Sequence, residues 1–114
     1  MRTQPCPIRE AARRTPHAIA VDTGSSRVSY YNMDAAVQAC QMALDDHHVP
    51  KTGRVAVYAP RSTDYLVLLF ALFRSGRVAV PVNTRFPPAT VPPLLEQIGC
   101  ETLITDDRMP GRFN

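Results

Sequence analysis

A chain of 114 residues is one domain or part of one, and its 45 % apolar content supports a packed core and argues against disorder. No apolar run reaches the ~20 residues of a membrane span, and residues 1–20 lack the apolar stretch of a signal peptide, so a cytoplasmic protein with no membrane partner is expected. The net charge is +3 with a pI near 9.0. The basic residues, all arginine except Lys51, are scattered apart from Arg13–Arg14 and lack interleaved aromatics, which argues against a nucleic-acid partner.

In chain order, residues 7–14 read as a short helix with Pro7 at its start, where the missing N–H costs nothing. Thr15-Pro16 stops it, because a residue before proline is pushed out of the α region, and His17 falls in the turn that follows. Residues 18–22 (AIAVD) and 27–30 (RVSY) are strand candidates joined by Thr23-Gly24-Ser25-Ser26, which together predict a β-hairpin. Asn32 is expected to cap the next helix, whose apolar stripe is Met33, Ala36, Val37, Cys40 and Leu44.

Beyond the loop at residues 49–53 the pattern changes. Residues 54–59 (RVAVYA) predict a buried strand, and Ser62 caps a helix over 63–75 that is apolar nearly all round, so it should be buried on more than one side. Gly76 supplies a left-handed stop. Residues 77–82 (RVAVPV) form a second strand, where Pro81 removes a ladder donor and points to an edge, a bulge or a strand end. A helix over 90–98 carries Pro92 and Pro93 in its first turn, Gly99 ends it, and residues 102–105 (TLIT) form a third strand.

The fold expected is therefore α/β: a three-stranded parallel βαβαβ segment of a doubly wound sheet, preceded by a helix and a small hairpin. Residues 1–31 are the helix and hairpin, 32–107 the βαβ-rich segment, and 108–114 a loop cut short.

Catalytic signatures are missing. Neither GxGxxG nor GxxxxGK[ST] occurs, and there is no GxSxG elbow or HExxH pair, so no catalytic residue is assigned. Cys6, Cys40 and Cys100 are odd in number and widely spaced, which fits neither a disulfide framework nor a zinc site; Cys40 and Cys100 read as small buried hydrophobes. Asp45-Asp46-His47-His48 has the composition of metal ligands, but consecutive residues at a helix end point apart, so no metal residue is assigned. Asp106-Asp107 follow a strand end, where sheet ligands often bind, yet adjacent loop carboxylates more often cap or face water.

Several segments resemble the adenylate-forming (AMP-binding, acyl-CoA synthetase) family in the right order. Val28-Ser29-Tyr30-Tyr31-Asn32-Met33 is similar to its first core motif, Leu-Thr/Ser-Tyr-x-Glu-Leu, with Asn32 for Glu and Met33 for Leu. Gly53-Arg54-Val55-Ala56-Val57-Tyr58-Ala59-Pro60-Arg61-Ser62 resembles the strand–turn–helix that follows. The run from Leu72 through Gly76 to Pro81-Val82-Asn83 resembles the second core motif, and Thr84-Arg85-Phe86-Pro87-Pro88 continues it. The resemblance covers roughly residues 6–107. Within the family, Asn83-x-Arg85 and the proline-rich 86–93 stretch resemble acyl- or aryl-CoA ligases more than peptide-synthetase adenylation domains, which prefer Asp at the first position. Cys6-Pro7-Ile8-Arg9 and the 80–95 stretch are most similar to o-succinylbenzoate–CoA ligases of menaquinone biosynthesis.

The resemblance implies an acid–CoA ligase in which a small-molecule carboxylic acid and ATP give acyl-AMP, then a CoA thioester, with ATP, CoA and Mg as cofactors. The chain would be the N-terminal portion of the large adenylating domain, inactive alone and binding none of these tightly. Arg85 stands where CoA-forming members carry an arginine that meets the 3′-phosphate of CoA; otherwise it is a surface arginine packed over its loop. Partners would be the remainder of the ligase or, failing that, a second copy of the chain. Two other readings compete: a stand-alone flavodoxin-like binding module, against which the glycine-free turn Ala59-Pro60-Arg61-Ser62 counts, and an interaction protein left by truncation of a ligase gene.

Overall fold

The computed structural model describes residues 6–105, so Asp106, Asp107 and the 108–114 stretch lie outside the described residues. Helix α1 (Pro7–Arg14) starts with its proline as expected. Strands β1 (Ile19–Asp22) and β2 (Arg27–Ser29) form the antiparallel hairpin. Its turn is held by the Asp22 carboxylate, which accepts the Gly24 N–H at 2.9 Å.

Helix α2 (Tyr30–Asp46) begins earlier than expected. Ser29, not Asn32, is the cap, and its hydroxyl accepts the Asn32 N–H at 3.2 Å. Both residues are competent caps; Ser29 prevails because β2 ends there in extended conformation, which puts Asn32 in the third helical position. Met33, Val37 and Leu44 are buried and Cys40 half-buried, but Ala36, expected on the same stripe, is exposed.

Three parallel strands follow: β3 (Arg54–Tyr58), β4 (Val78–Pro81) and β5 (Thr102–Thr105), in the order β4-β3-β5. Pro81 is the last residue of an edge strand, and the Val82 N–H resumes the ladder at 2.8 Å from the Val57 carbonyl. Helix α3 (Thr63–Arg74) connects β3 to β4, with the Ser62 hydroxyl accepting the Tyr65 N–H. A 3-10 turn (Pro88–Thr90) and helix α4 (Val91–Gln97) connect β4 to β5.

Both faces of β3 are covered. Val55 and Val57 pack with Met33, Val37, Ala71 and Leu72 from α2 and α3. Ala56 and Tyr58 point the other way, into a second cluster with Val91 and Leu95 of α4. This period-two alternation, buried on both sides, is what a continuous apolar strand requires. Helix α3 packs on the sheet and on α2, yet Leu66 and Phe73 remain 37 % and 45 % exposed.

Helices α2 and α3 end alike. The Arg77 N–H reaches back to the Leu72 carbonyl and the Gly76 N–H to Phe73, with Gly76 at φ +80°. At the end of α2 the Val49 N–H reaches Leu44 and the His48 N–H reaches Asp45, with His48 left-handed at φ +60°. The Asp45–His48 run is thus a helix terminus.

One side chain ties these ends together. Arg77 is buried and donates to the Pro50 carbonyl at 2.9 Å, the Val49 carbonyl at 2.8 Å and the Asp45 carboxylate at 3.0 Å. Arg74 does similar work on the other side of the α3 terminus, donating to Asp34 of α2 and to the Cys6 thiol. Burial opposes its charge, but the hydrogen bonds to Cys6 and Asp34 prevail and raise its pKa.

Arg77→Leu should lower stability by about 3 kcal/mol in urea unfolding, since a charged donor leaves two carbonyls and a carboxylate without it. Asp45→Asn should cost less than about 1 kcal/mol, because that carboxylate is 44 % exposed and both carbonyl bonds survive. Equal losses would mean that the ion pair, not the carbonyl bonds, holds the corner.

Candidate ligand site at the end of the sheet

The chain leaves β3 towards α3 on one face of the sheet and leaves β4 towards α4 on the other. The segments that follow these adjacent parallel strands emerge side by side at the carboxyl end of the sheet, the end at which ligands of open α/β sheets usually bind. A cavity of about 580 Å³ lies there. Ala59, Pro60 and Arg61 line it from the β3 side and Asn83, Thr84 and Arg85 from the β4 side, with Tyr65 of α3 between. No carboxylate lines it among the described residues.

The β4 side is a built turn. The Asn83 side-chain oxygen accepts the Arg85 N–H at 2.9 Å, and the Phe86 N–H closes the turn on the Asn83 carbonyl at 3.1 Å. From beneath, the buried Tyr58 hydroxyl donates to the Phe86 carbonyl at 2.6 Å. The backbone that carries Arg85 is therefore pinned at three points. On the β3 side, Arg61 precedes Ser62, the cap of α3.

The cavity's two guanidinium groups differ from most of those elsewhere in the fold, although Arg14 of α1 is likewise exposed and without an ion pair among the described residues. Arg9, Arg13, Arg27, Arg74 and Arg77 sit in ion pairs, and Arg54 donates to the Ile98 carbonyl. Arg61 and Arg85 make no ion pair among the described residues and are exposed. Two guanidinium groups without ion pairs on one cavity supply the charge and N–H donors that suit an anion such as phosphate and do not suit a metal ion.

Other candidate residues lie elsewhere. Cys40 lines a smaller apolar groove of about 260 Å³ with Leu68, Leu103 and Ile104. Burial pushes its thiol pKa up, with a further rise from the Asp64 carboxylate, so the thiol stays protonated and is a poor nucleophile. Cys6 and Cys100 are buried free thiols. Among the described residues no three His, Cys, Asp or Glu side chains gather as metal ligands. No helix of the described residues is long and apolar enough to cross a membrane.

Sequence reasoning singled out Arg85 and missed Arg61 and Tyr58. The signal was present in the order of elements, since connections of one hand from β3 and β4 to opposite faces bring the segment after Ala59 beside the segment after Val82. It is hidden because the turn Ala59-Pro60-Arg61-Ser62 lacks the glycine of a backbone phosphate loop, and nothing local marks the Arg61 side chain.

The fold is an α/β segment of a doubly wound sheet with two exposed arginines on a cavity at its carboxyl end. More specifically, the chain belongs to the AMP-binding enzyme family, whose profile matches residues 8–112. Enterobactin synthase component F of Escherichia coli O157:H7 is 33 % identical over 106 residues, covering 93 % of this chain and 8 % of that protein. The long-chain-fatty-acid–CoA ligase FadD13 of Mycobacterium tuberculosis is 32 % identical over 78 residues, covering 68 % of this chain and 16 % of that protein. The solved N-terminal subdomain of Klebsiella oxytoca NpsA in complex with 3-hydroxyanthranilyl-AMSN superposes with a TM-score of 0.83 at 27 % identity, covering 92 % of this chain and 28 % of that one. The chain thus spans a small part of the proteins it matches.

These relatives include both a synthase component and a CoA ligase, and the turn itself does not require Asn rather than Asp at position 83. The bond to the Arg85 N–H needs only a side-chain oxygen one carbon beyond Cβ, which Asp supplies as well as Asn.

Tyr58→Phe removes the bond to the Phe86 carbonyl without changing the packing. It should cost about 1 kcal/mol of stability and speed amide hydrogen exchange at residues 84–86. Unchanged exchange there would show that the turn stands without Tyr58.

Proposed function

We propose that residues 1–114 are the N-terminal portion of the large adenylating domain of a cytoplasmic acid–CoA ligase. That enzyme would join a small carboxylic acid to ATP, giving acyl-AMP and pyrophosphate, and pass the acyl group to the CoA thiol. The observation that carries this reading is Arg85, exposed on the cavity, without an ion-pair partner among the described residues and held by the Asn83 turn. Arg85 meets the 3′-phosphate of CoA. The likeness to FadD13 supports CoA as acceptor. Resemblance at residues 6–9 and 80–95 makes o-succinylbenzoate the first acid to test.

The fit to the implied cofactors is uneven. Two guanidinium groups and no described carboxylate suit a phosphate of CoA and do not suit Mg at this cavity. For ATP the chain offers no glycine-rich phosphate loop, so the groups that stabilise charge at the α-phosphate belong to other parts of the enzyme. The chain's own residues supply scaffold and the Arg85 contact. Its remaining partner is the rest of the ligase or, in its place, a second copy of the chain, to which β4 and β5 offer sheet edges and Leu66 and Phe73 an apolar face.

A second reading, adenylation without CoA, is favoured by the likeness to enterobactin synthase component F. Kinetics separate the two. The 114-residue chain alone should release no pyrophosphate from ATP above background with any acid. In the full-length enzyme, Arg85→Ala should raise KM for CoA about ten-fold or more, the loss of a charge-assisted hydrogen bond, and leave acid-dependent adenylation unchanged. The variant should no longer distinguish CoA from dephospho-CoA. A wild-type enzyme that treats the two thiols equally would remove Arg85 from this role, and one that never uses CoA would establish the second reading.

A further inference from the structure

We propose that Arg61 is a second phosphate ligand of this cavity, gripping together with Arg85 one dianionic phosphomonoester held between the ends of β3 and β4. The inference rests on the Arg85 reading above and adds a residue that the Asn-x-Arg resemblance does not include.

Four observations point the same way. Arg61 and Arg85 lie in the segments that follow two adjacent parallel strands and line one cavity from its two sides. Neither is neutralised by an ion pair among the described residues, whereas most arginines of the fold are engaged. No described carboxylate lines the cavity to repel an anion. Arg61 also stands immediately before the capped start of α3, a twelve-residue helix whose first N–H groups add positive potential at the same wall.

The chemistry selects the ligand class. A phosphomonoester carries up to two negative charges and three terminal oxygens near neutral pH, enough to take a fork of N–H donors from each side. A carboxylate or a phosphodiester carries a single charge and would leave one guanidinium uncompensated. Arg61 supplies by its side chain what the glycine-free turn 59–62 cannot supply by its backbone.

The test is calorimetric titration of the 114-residue chain with adenosine 3′-monophosphate and with adenosine. The wild-type chain should prefer the phosphorylated ligand, and Arg61→Gln and Arg85→Gln should each weaken its binding about ten-fold or more, to near the affinity for adenosine when combined. Arg61→Lys, which keeps the charge but loses the fork, should lie between Arg61→Gln and wild type. Both side chains are exposed, and circular dichroism will show whether each variant keeps its fold. If Arg85→Gln weakens binding and Arg61→Gln does not, the clamp is overturned and the Arg85 reading survives. If Arg61→Gln alone weakens binding, Arg85 loses its assignment and the shared clamp with it. Equal affinity of the wild-type chain for the two ligands would overturn both.

Discussion

The architecture depends on one constraint: β3 is paired on both sides, and its neighbours are reached by crossovers of a single hand. Moving from β3 to β4 takes the chain one way across the sheet, and moving from β4 to β5 takes it back past β3. Connections of the same hand must then lie on opposite faces, so α3 covers Val55 and Val57 while α4 covers Ala56 and Tyr58. Two consequences follow at once. Strand β3 must be apolar on both faces, at ~1.5–3 kcal/mol for each large side chain fully buried. The segments after β3 and β4 also emerge side by side at one end of the sheet, where they line the cavity that holds Arg61 and Arg85.

The rest of the fold keeps that arrangement in register. Arg77 joins the start of β4 to the end of α2, and Arg74 joins the end of α3 to α2 and to Cys6. Both lie at the amino-terminal side of the sheet, opposite the cavity. One pole of the sheet is therefore bound by engaged arginines and the other bears arginines free of ion pairs among the described residues. The same residue type serves as a tie where carbonyls and carboxylates surround it and stays exposed on the cavity where they do not.

What the sequence made legible was local or periodic. The parallel strands, the Ser62 cap, the Gly76 and Gly99 stops and the strand-ending Pro81 each follow from a few adjacent residues. The cap of α2 was misplaced because Ser29 and Asn32 are both competent, and the end of β2 decides between them. Arg77 read as an ordinary strand residue because its partners lie at Asp45, Val49 and Pro50, out of reach of any window. Left-handed His48 was invisible for a different reason: nothing in a histidine announces that it will end a helix as a glycine does. At the site, Arg85 was found through resemblance, whereas Arg61 and Tyr58 matter only through contacts or walls shared with residues more than twenty positions away.

The central claim is that the crevice between β3 and β4 is where this segment meets its phosphorylated ligand. It is tested most directly by mapping backbone amide chemical shifts of the isotopically labelled chain during titration with adenosine 3′-monophosphate. The largest saturable changes should fall at residues 59–63 and 83–86, on both walls of the cavity. Changes confined to the groove beside Cys40 and Ile104, or to the cluster around Arg9 and Arg74, would contradict it.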